Sequence, residues 1–82
     1  MKYFVYIVKC NDNTLYTGIT TDIDRRVREH NENGKGAKYT KARRPVTLVY
    51  AKKCKDRSEA SKEELEIKKL TRQQKYKLIN DG

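Results

Sequence analysis

The sequence predicts a small α+β domain, in which a three-stranded antiparallel sheet is flanked by helices in the order β-β-α-β-α-α. Segments 3–9, 14–20 and 46–54 are rich in β-branched and aromatic residues, which favour strands. An Asn-Asp-Asn run at 11–13 separates the first two segments, and helix-type spacing with capping residues occupies the rest. Strands with segregated helices are typical of α+β architecture.

The first two strands are expected to form a hairpin. The Asn-Asp-Asn run at 11–13 tolerates positive φ angles and favours a tight turn. Successive side chains of a strand point to opposite faces of the sheet. A turn near residue 12 therefore allows Tyr6 and Tyr16 to present their hydroxyls to one spot.

A first helix is predicted to begin at a Thr21 cap, with Asp24 as a weak capping-box partner. It should end near residue 33, because Gly34 is a natural stop. Helical spacing places Val27 and His30 on one face, and Arg26 lies beside that face.

Two further helices follow the third strand. Asp56 or Ser58 can cap a helix over about 58–70. Thr71 and Gln74 have the spacing of a capping box, which predicts a fresh start for a short third helix.

The composition favours a polyanion as the partner. The chain of 82 residues has 20 Lys plus Arg against 11 Asp plus Glu, a net charge of +9, and its size suits one domain over 1–82. Such an excess of basic side chains suits nucleic acid. Two cysteines and one histidine are too few for a structural zinc site or a disulfide framework. No transmembrane run or signal peptide is apparent, so a reducing cytoplasm is expected.

The connection at 34–45 is the best candidate for contact with a nucleic-acid backbone. It is basic, contains glycine, and ends before Pro45, which blocks helical continuation. The stretch 68–77 is also basic, but it is expected to be a solvated helix face. The predicted nucleic-acid-binding residues are Lys35, Lys38, Tyr39, Lys41, Arg43 and Arg44.

Five positions carry a family resemblance. Phe-Val-Tyr at 4–6 and Tyr-Thr-Gly at 16–18 lie on the first two strands. Arg26 follows Tyr16 by ten residues, His30 comes four later, and Glu64 lies in a later helix. Over roughly residues 3–79 the chain resembles the GIY-YIG nuclease superfamily, and within it the small stand-alone bacterial members. Two motif positions depart from the family pattern: Phe4 replaces a glycine and Thr17 an aliphatic residue.

The resemblance implies a metal-dependent endonuclease that hydrolyses phosphodiester bonds, with DNA favoured over RNA. It implies Mg²⁺ or Mn²⁺ as cofactor, with Glu64 as the metal ligand. Helix periodicity alone does not select Glu64, because Glu63 fits the apolar face of that helix at least as well. The implied catalytic residues are Tyr6, Tyr16, Arg26, His30 and Glu64.

Each implied residue suits a step of phosphodiester hydrolysis. Arg26 can grip a phosphate oxygen with its charged fork. One tyrosine would act as general base and the other would position water or phosphate; Tyr16 is favoured as the base, although the resemblance does not settle it. His30 can bind phosphate, relay a proton or act as base.

Two other functions remain open from the sequence. The chain can be a non-catalytic nucleic-acid-binding module that keeps the fold and the basic surface. It can also be a nuclease subunit that is active only with a protein targeting partner. A monomer is expected in either case.

Overall fold

The computed structural model describes residues 2–32 and 36–81, which form a three-stranded antiparallel sheet with helices on both faces. Strands β1 (Tyr3–Lys9), β2 (Leu15–Thr20) and β3 (Thr47–Cys54) lie in the order β2-β1-β3. The central strand β1 pairs antiparallel with both neighbours. The predicted fold class is therefore confirmed.

The β1–β2 turn has the predicted chemistry. Asn13 has a φ of 68°, a left-handed conformation that asparagine tolerates better than most residues. The Asp12 carboxylate accepts hydrogen bonds from the Thr14 amide at 3.1 Å and the Thr14 hydroxyl at 2.6 Å. The pairing that results sets Val8 opposite Tyr16.

Four helices surround the sheet. They are α1 (Ile23–Asn31), α2 (Lys38–Lys41), α3 (Arg57–Lys69) and α4 (Arg72–Asp81). The short helix α2 was not predicted, since the connection at 34–45 reads as irregular from its glycines and basic residues.

The caps partly follow the sequence signals. The predicted cap of α1 at Thr21 is wrong, because the side chain of Asp22 accepts from the Arg25 amide at 3.1 Å. Asp56 caps α3, one of the two expected residues. At the start of α4 the Thr71–Gln74 box is present, with reciprocal bonds of 2.9 and 3.1 Å. The predicted stop at Gly34 lies outside the described residues.

The alternating side chains of β1 divide between two clusters. Val5 and Ile7 are buried against α3, in a cluster that includes Ala60 and Ile67. Tyr6, Val8 and other side chains form a second cluster on the α1 side; its remaining members are Cys10 and Val46, with Tyr16 and Val27 packed against it.

Two further features are the state of the cysteines and the length of the helices. Cys10 and Cys54 are both buried and unpaired. Within the described ranges, no helix has the length and apolar character needed to span a membrane.

Candidate active site

Tyr6 forms the buried centre of the site. Its ring is 1% exposed, and Gly18 lies opposite it on β2. A Cβ atom at Gly18 would lie 2.6 Å from the Tyr6 hydroxyl and 2.8 Å from Cζ. The glycine is therefore required because the tyrosine occupies the space where a side chain would lie.

His30 lies directly behind Tyr6 and is completely buried. Its Nε2 is 2.7 Å from the Tyr6 hydroxyl. The amide of Ala37 donates to Nδ1 at 3.3 Å, and the Thr40 hydroxyl lies 2.9 Å from the same nitrogen. Both ring nitrogens of His30 are therefore engaged, Nε2 by the Tyr6 hydroxyl and Nδ1 by Thr40 and the Ala37 amide.

Both buried groups are uncharged near neutral pH. Burial, aided by the positive charge of Arg26 and opposed by Glu29, lowers the pKa of His30 to about 4. Burial raises the pKa of Tyr6 to about 12, although a hydrogen bond from Arg26 opposes this shift. His30 is therefore a neutral imidazole, and Tyr6 remains a phenol.

Arg26 connects the buried centre to the surface. Its guanidinium hydrogen-bonds the Tyr6 hydroxyl and forms an ion pair with Glu29 at 3.0 Å. Burial acts to lower the pKa of Arg26, but these two partners outweigh it and raise the pKa. The side chain is 28% exposed, so an anion can reach the guanidinium.

Tyr16 lies on the same face as Tyr6, as the hairpin predicted. Its ring packs edge-on against His30, with centroids 5.3 Å apart, and stacks on Tyr39 at 5.7 Å. No buried side-chain oxygen of the described residues lacks a hydrogen-bond partner, and no described bond involves the Tyr16 hydroxyl. This hydroxyl is therefore reached by solvent on the half-buried Tyr16, in contrast to that of the buried Tyr6.

Glu64 approaches the site from α3, on the opposite face of the sheet. Its negative charge contributes to the raised pKa of Tyr6, after burial and Tyr16. The alternative carboxylate, Glu63, instead points to β3 and binds Lys52 at 3.1 Å. The tertiary structure thus separates two glutamates that helix phase alone left equivalent.

The surroundings of Glu64 suit a hydrated divalent cation. Its side chain is 25% exposed, and it forms an ion pair with the half-exposed Lys68 at 3.5 Å. Within the described residues no three His, Cys, Asp or Glu side chains cluster as metal ligands. Mg²⁺ commonly keeps several waters and uses one or two carboxylates, so a single accessible carboxylate fits this ion.

The predicted nucleic-acid-binding residues of the basic segment have different surroundings in the structure. Lys38 and Lys41 line a cavity beside His30. Arg43 lies over the Tyr39 ring, 4.2 Å from its centroid, and pairs with Asp12 at 3.0 Å. Elsewhere in the segment, Arg44 donates to the Lys41 carbonyl oxygen at 2.9 Å, and Lys35 lies outside the described residues.

Sequence reasoning missed the residues that hold His30. Thr40 is completely buried within the basic segment, and its hydroxyl also lies 3.0 Å from the Ala37 carbonyl oxygen. A Cβ atom at Gly36 would lie 2.6 Å from the Cα of His30, so this glycine allows close contact with α1. The one available signal was a threonine in an otherwise charged run.

The fold, the paired tyrosines and the arginine–histidine helix together define a GIY-YIG catalytic domain, whose family model matches residues 2–77. The chain belongs to the GIY-YIG family, a superfamily of nucleases. The sequence-based recognition of this family is therefore confirmed.

Similar proteins are found in several bacteria. A UPF0213 protein of Staphylococcus epidermidis is 63% identical over 81 residues, covering 99% of this chain and 98% of that protein. A UPF0213 protein of Desulfotalea psychrophila is 61% identical over 77 residues, covering 94% of this chain and 70% of that protein. The solution structure of a UPF0213 protein from Bacillus halodurans has a TM-score of 0.63 at 45% identity, covering 98% of this chain and 84% of that one.

Proposed function

We propose that residues 1–82 act as a single-domain, metal-dependent endonuclease that hydrolyses phosphodiester bonds in nucleic acid, with DNA as the favoured substrate. The observation that carries this proposal is convergence. Arg26, Tyr16 and Glu64, which come from three different elements, all act on the pKa of the buried Tyr6, although Arg26 and Glu64 are 38 positions apart in sequence. Membership of a nuclease superfamily supports the same reading.

Arg26 would bind the scissile phosphate. Its present partner Glu29 is part of a partly exposed ion pair, and pairs of this kind contribute only about 0–1 kcal/mol. A phosphate can therefore displace Glu29 and form a bidentate contact. The Tyr6 hydroxyl holds the guanidinium from behind, so we assign Tyr6 a positioning role.

Tyr16 would contact the attacking water. Its hydroxyl is reached by solvent, whereas that of Tyr6 is engaged by His30 and Arg26. In the proposed step the Tyr16 oxygen takes a proton from the water while its own proton passes to solvent. The water oxygen attacks phosphorus as the bond to the leaving oxygen breaks, and the leaving oxygen takes a proton from solvent. His30 would act through Tyr6 and not by touching the substrate, because its ring is completely buried.

Glu64 would hold the divalent cation. When bound there, Mg²⁺ or Mn²⁺ supplies positive charge that stabilises the phosphate and the leaving oxygen. To serve as a ligand, Glu64 must give up its ion pair with Lys68. Because the lysine is half-exposed, breaking this pair costs little free energy.

The surface supports a substrate that is recognised through its backbone. A net charge of +9 favours phosphate contacts. Among the described residues, Tyr39 is the one aromatic side chain among the exposed large hydrophobics, and Arg43 already covers one face of its ring. Base stacking on exposed rings, which is common in single-strand binders, is therefore less favoured than backbone contact.

The test is cleavage of labelled single-stranded, duplex, flap and junction substrates, in DNA and RNA, with Mg²⁺, Mn²⁺ or chelator. We expect Glu64→Gln to reduce metal-dependent cleavage by about 10²–10³-fold, with binding and melting temperature unchanged. Glu66→Gln is the matched control, since Glu66 is 74% exposed on the same helix and pairs with Lys69.

Three outcomes would contradict the proposal or part of it. Equal losses in the Glu64 and Glu66 variants would indicate a general charge effect and not a metal ligand. Cleavage that persists in chelator would exclude the metal-dependent reaction. Binding without cutting across the whole panel would favour a binding module or a subunit that needs a targeting partner.

A further inference from the structure

Most basic residues of 68–77 are exposed, as expected for a solvated helix face, but two residues of α4 do not simply project into solvent. Arg72 and Lys75 instead line a cavity of about 220 Å³. Its other walls are Thr14 and Leu15 from the β1–β2 hairpin and Tyr39 from α2. Segments that are far apart in sequence therefore form one small, positively charged depression.

Uncharged groups hold the Arg72 guanidinium of this cavity in place. The Arg72 guanidinium donates to the carbonyl oxygen of Asn13 at 2.7 Å and to the Tyr76 hydroxyl at 3.2 Å, and it lies 5.1 Å from the Tyr76 ring centroid. Lys9 lies 5.8 Å from the same centroid. None of the ion pairs found in the described part of the chain involves Arg72 or Lys75.

The carboxylate of the β1–β2 hairpin does not compensate this charge. Asp12 on the same hairpin is already occupied, because Arg43 binds it at 3.0 Å and Thr14 donates to its other oxygen. Cations that lie together without carboxylate partners repel each other and favour a bound anion. The cavity thus has the electrostatic character of a phosphate site.

The cavity adjoins the candidate active site. Its Tyr39 wall stacks on Tyr16 with ring centroids 5.7 Å apart. In a DNA duplex each strand carries one phosphate per about 3.4 Å of axis. A strand bound at Tyr16 would therefore reach the cavity within a few nucleotides.

We propose that this cavity is a subsite for the strand that flanks the scissile bond, with Arg72 and Lys75 contacting a backbone phosphate. The inference rests on the proposed nuclease function, because it names a second contact for the same substrate. A volume of about 220 Å³ is below the roughly 300–1,000 Å³ of small-molecule pockets. That size suits one phosphate and part of its nucleotide, as expected for a contact along a longer polymer.

The experiment measures binding of a short fluorescein-labelled DNA duplex, and of its single strand, in chelator at several salt concentrations. The Arg72→Gln/Lys75→Gln double variant is compared with Lys62→Gln/Lys77→Gln, which removes the same charge. Lys62 and Lys77 are exposed, and Lys77 lies about 200° around α4 from Lys75. Chelator keeps the binding measurement independent of cleavage.

We expect the Arg72/Lys75 variant to weaken binding about tenfold and to reduce the slope of log affinity against log salt by about 2. The control should stay within about twofold of wild type. Lys75→Gln alone should reduce the slope by about 1. This single variant keeps the bonds of Arg72 to Asn13 and Tyr76, so an unchanged melting temperature separates lost binding from misfolding.

Equal effects in the two double variants would overturn the subsite. A wild-type protein that binds no DNA would overturn both the subsite and the proposed function. A wild-type protein that binds but never cuts would refute the nuclease activity of the isolated domain, while the comparison of variants would still decide the subsite.

Discussion

The two faces of the sheet stabilise the domain in different ways, although the same strand supplies both. On the α3 face, Val5 and Ile7 pack with Ala60 and Ile67 in an apolar cluster. On the α1 face, Tyr6 joins the buried polar side chains of α1 and α2. Apolar burial has little directionality, whereas a hydrogen bond requires particular atoms at particular distances.

This difference determines where functional groups can be held. The ring of His30 is oriented by bonds at both nitrogens, and it in turn orients Tyr6. All buried side-chain nitrogens and oxygens of the described residues have partners, so removing one leaves another unsatisfied. We therefore expect substitutions in the apolar cluster of the α3 face to change mainly stability, and those among the hydrogen-bonded groups of the α1 face to change activity as well.

The largest effect on stability is expected on the apolar face. Ile67 is 3% exposed, and Ile67→Ala should lower the free energy of unfolding by about 2–5 kcal/mol. Urea denaturation measures this loss, and cleavage by the molecules that stay folded should change little. Leu65→Ala is the control, because Leu65 is 58% exposed on the same helix and should cost less than about 0.5 kcal/mol. Equal losses would contradict the assignment of the core.

The next effect is a dependence on pH that arises on the polar face. The pKa of His30 is about 4 in the folded chain and about 6.5 when unfolded. Between these values the unfolded state binds more protons, so stability falls as pH decreases from about 6.5 to 4, by up to about 3 kcal/mol. The pKa of Asp12 is also lowered, mainly by the hydrogen bond from the Thr14 hydroxyl, and its effect on stability lies below this pH range.

Denaturation at pH values from 7 to 4 would check this dependence. His30→Gln should remove most of the slope between pH 6.5 and 4.5, even if its stability at pH 7 is lower. An unchanged slope would show that His30 is not the group responsible.

A smaller loss of stability with a large loss of activity is expected at Gly18. A methyl group there would lie 2.6 Å from the Tyr6 hydroxyl, so Gly18→Ala must displace the tyrosine. We expect a cost of about 1–3 kcal/mol from overpacking and a fall in kcat/KM of about a hundredfold, because Arg26 loses its support. Ile19→Val, on the neighbouring residue, should leave kcat/KM nearly unchanged. Normal cleavage by the Gly18→Ala variant would show that the position of Tyr6 does not matter for the reaction.

The smallest effect is expected at Thr40. Thr40→Val keeps the shape of the side chain and removes the hydroxyl 2.9 Å from His30 Nδ1, which still receives the Ala37 amide. The expected cost is about 1 kcal/mol, with a loss of cleavage of a few-fold. Thr47→Val, an exposed change on β3, should alter neither quantity. A Thr40 variant indistinguishable from this control would show that the hydroxyl does not orient His30.

Local features of the molecule were predictable from the sequence. The three strands, the helices α1, α3 and α4, and the Thr71–Gln74 cap depend on neighbouring residues, whose spacing is visible in the chain. The common face of Tyr6 and Tyr16 follows from strand alternation and a short turn. The cap of α1 was misplaced by one residue, because Thr21 and Asp22 are both good caps and their spacing alone does not choose between them.

The site contacts between distant segments were not predictable in this way. His30 bonds Thr40 across a basic segment whose composition reads as solvated, and Arg72 bonds Asn13 across 59 residues. The period of the helix did not distinguish Glu63 from Glu64. The structure does, because Lys52 of β3 forms an ion pair with Glu63.

The sequence by itself determined the order of the strands and the three longer helices, the family, and the residues with suitable chemistry, because these depend on residue type and local spacing. Only the tertiary structure decided which hydroxyl faces solvent, which glutamate approaches Tyr6, and which lysine and arginine share a cavity. The physical reason is that burial and hydrogen-bond partners arise from the packing of helices on the two faces of the sheet. Local periodicity does not encode that packing.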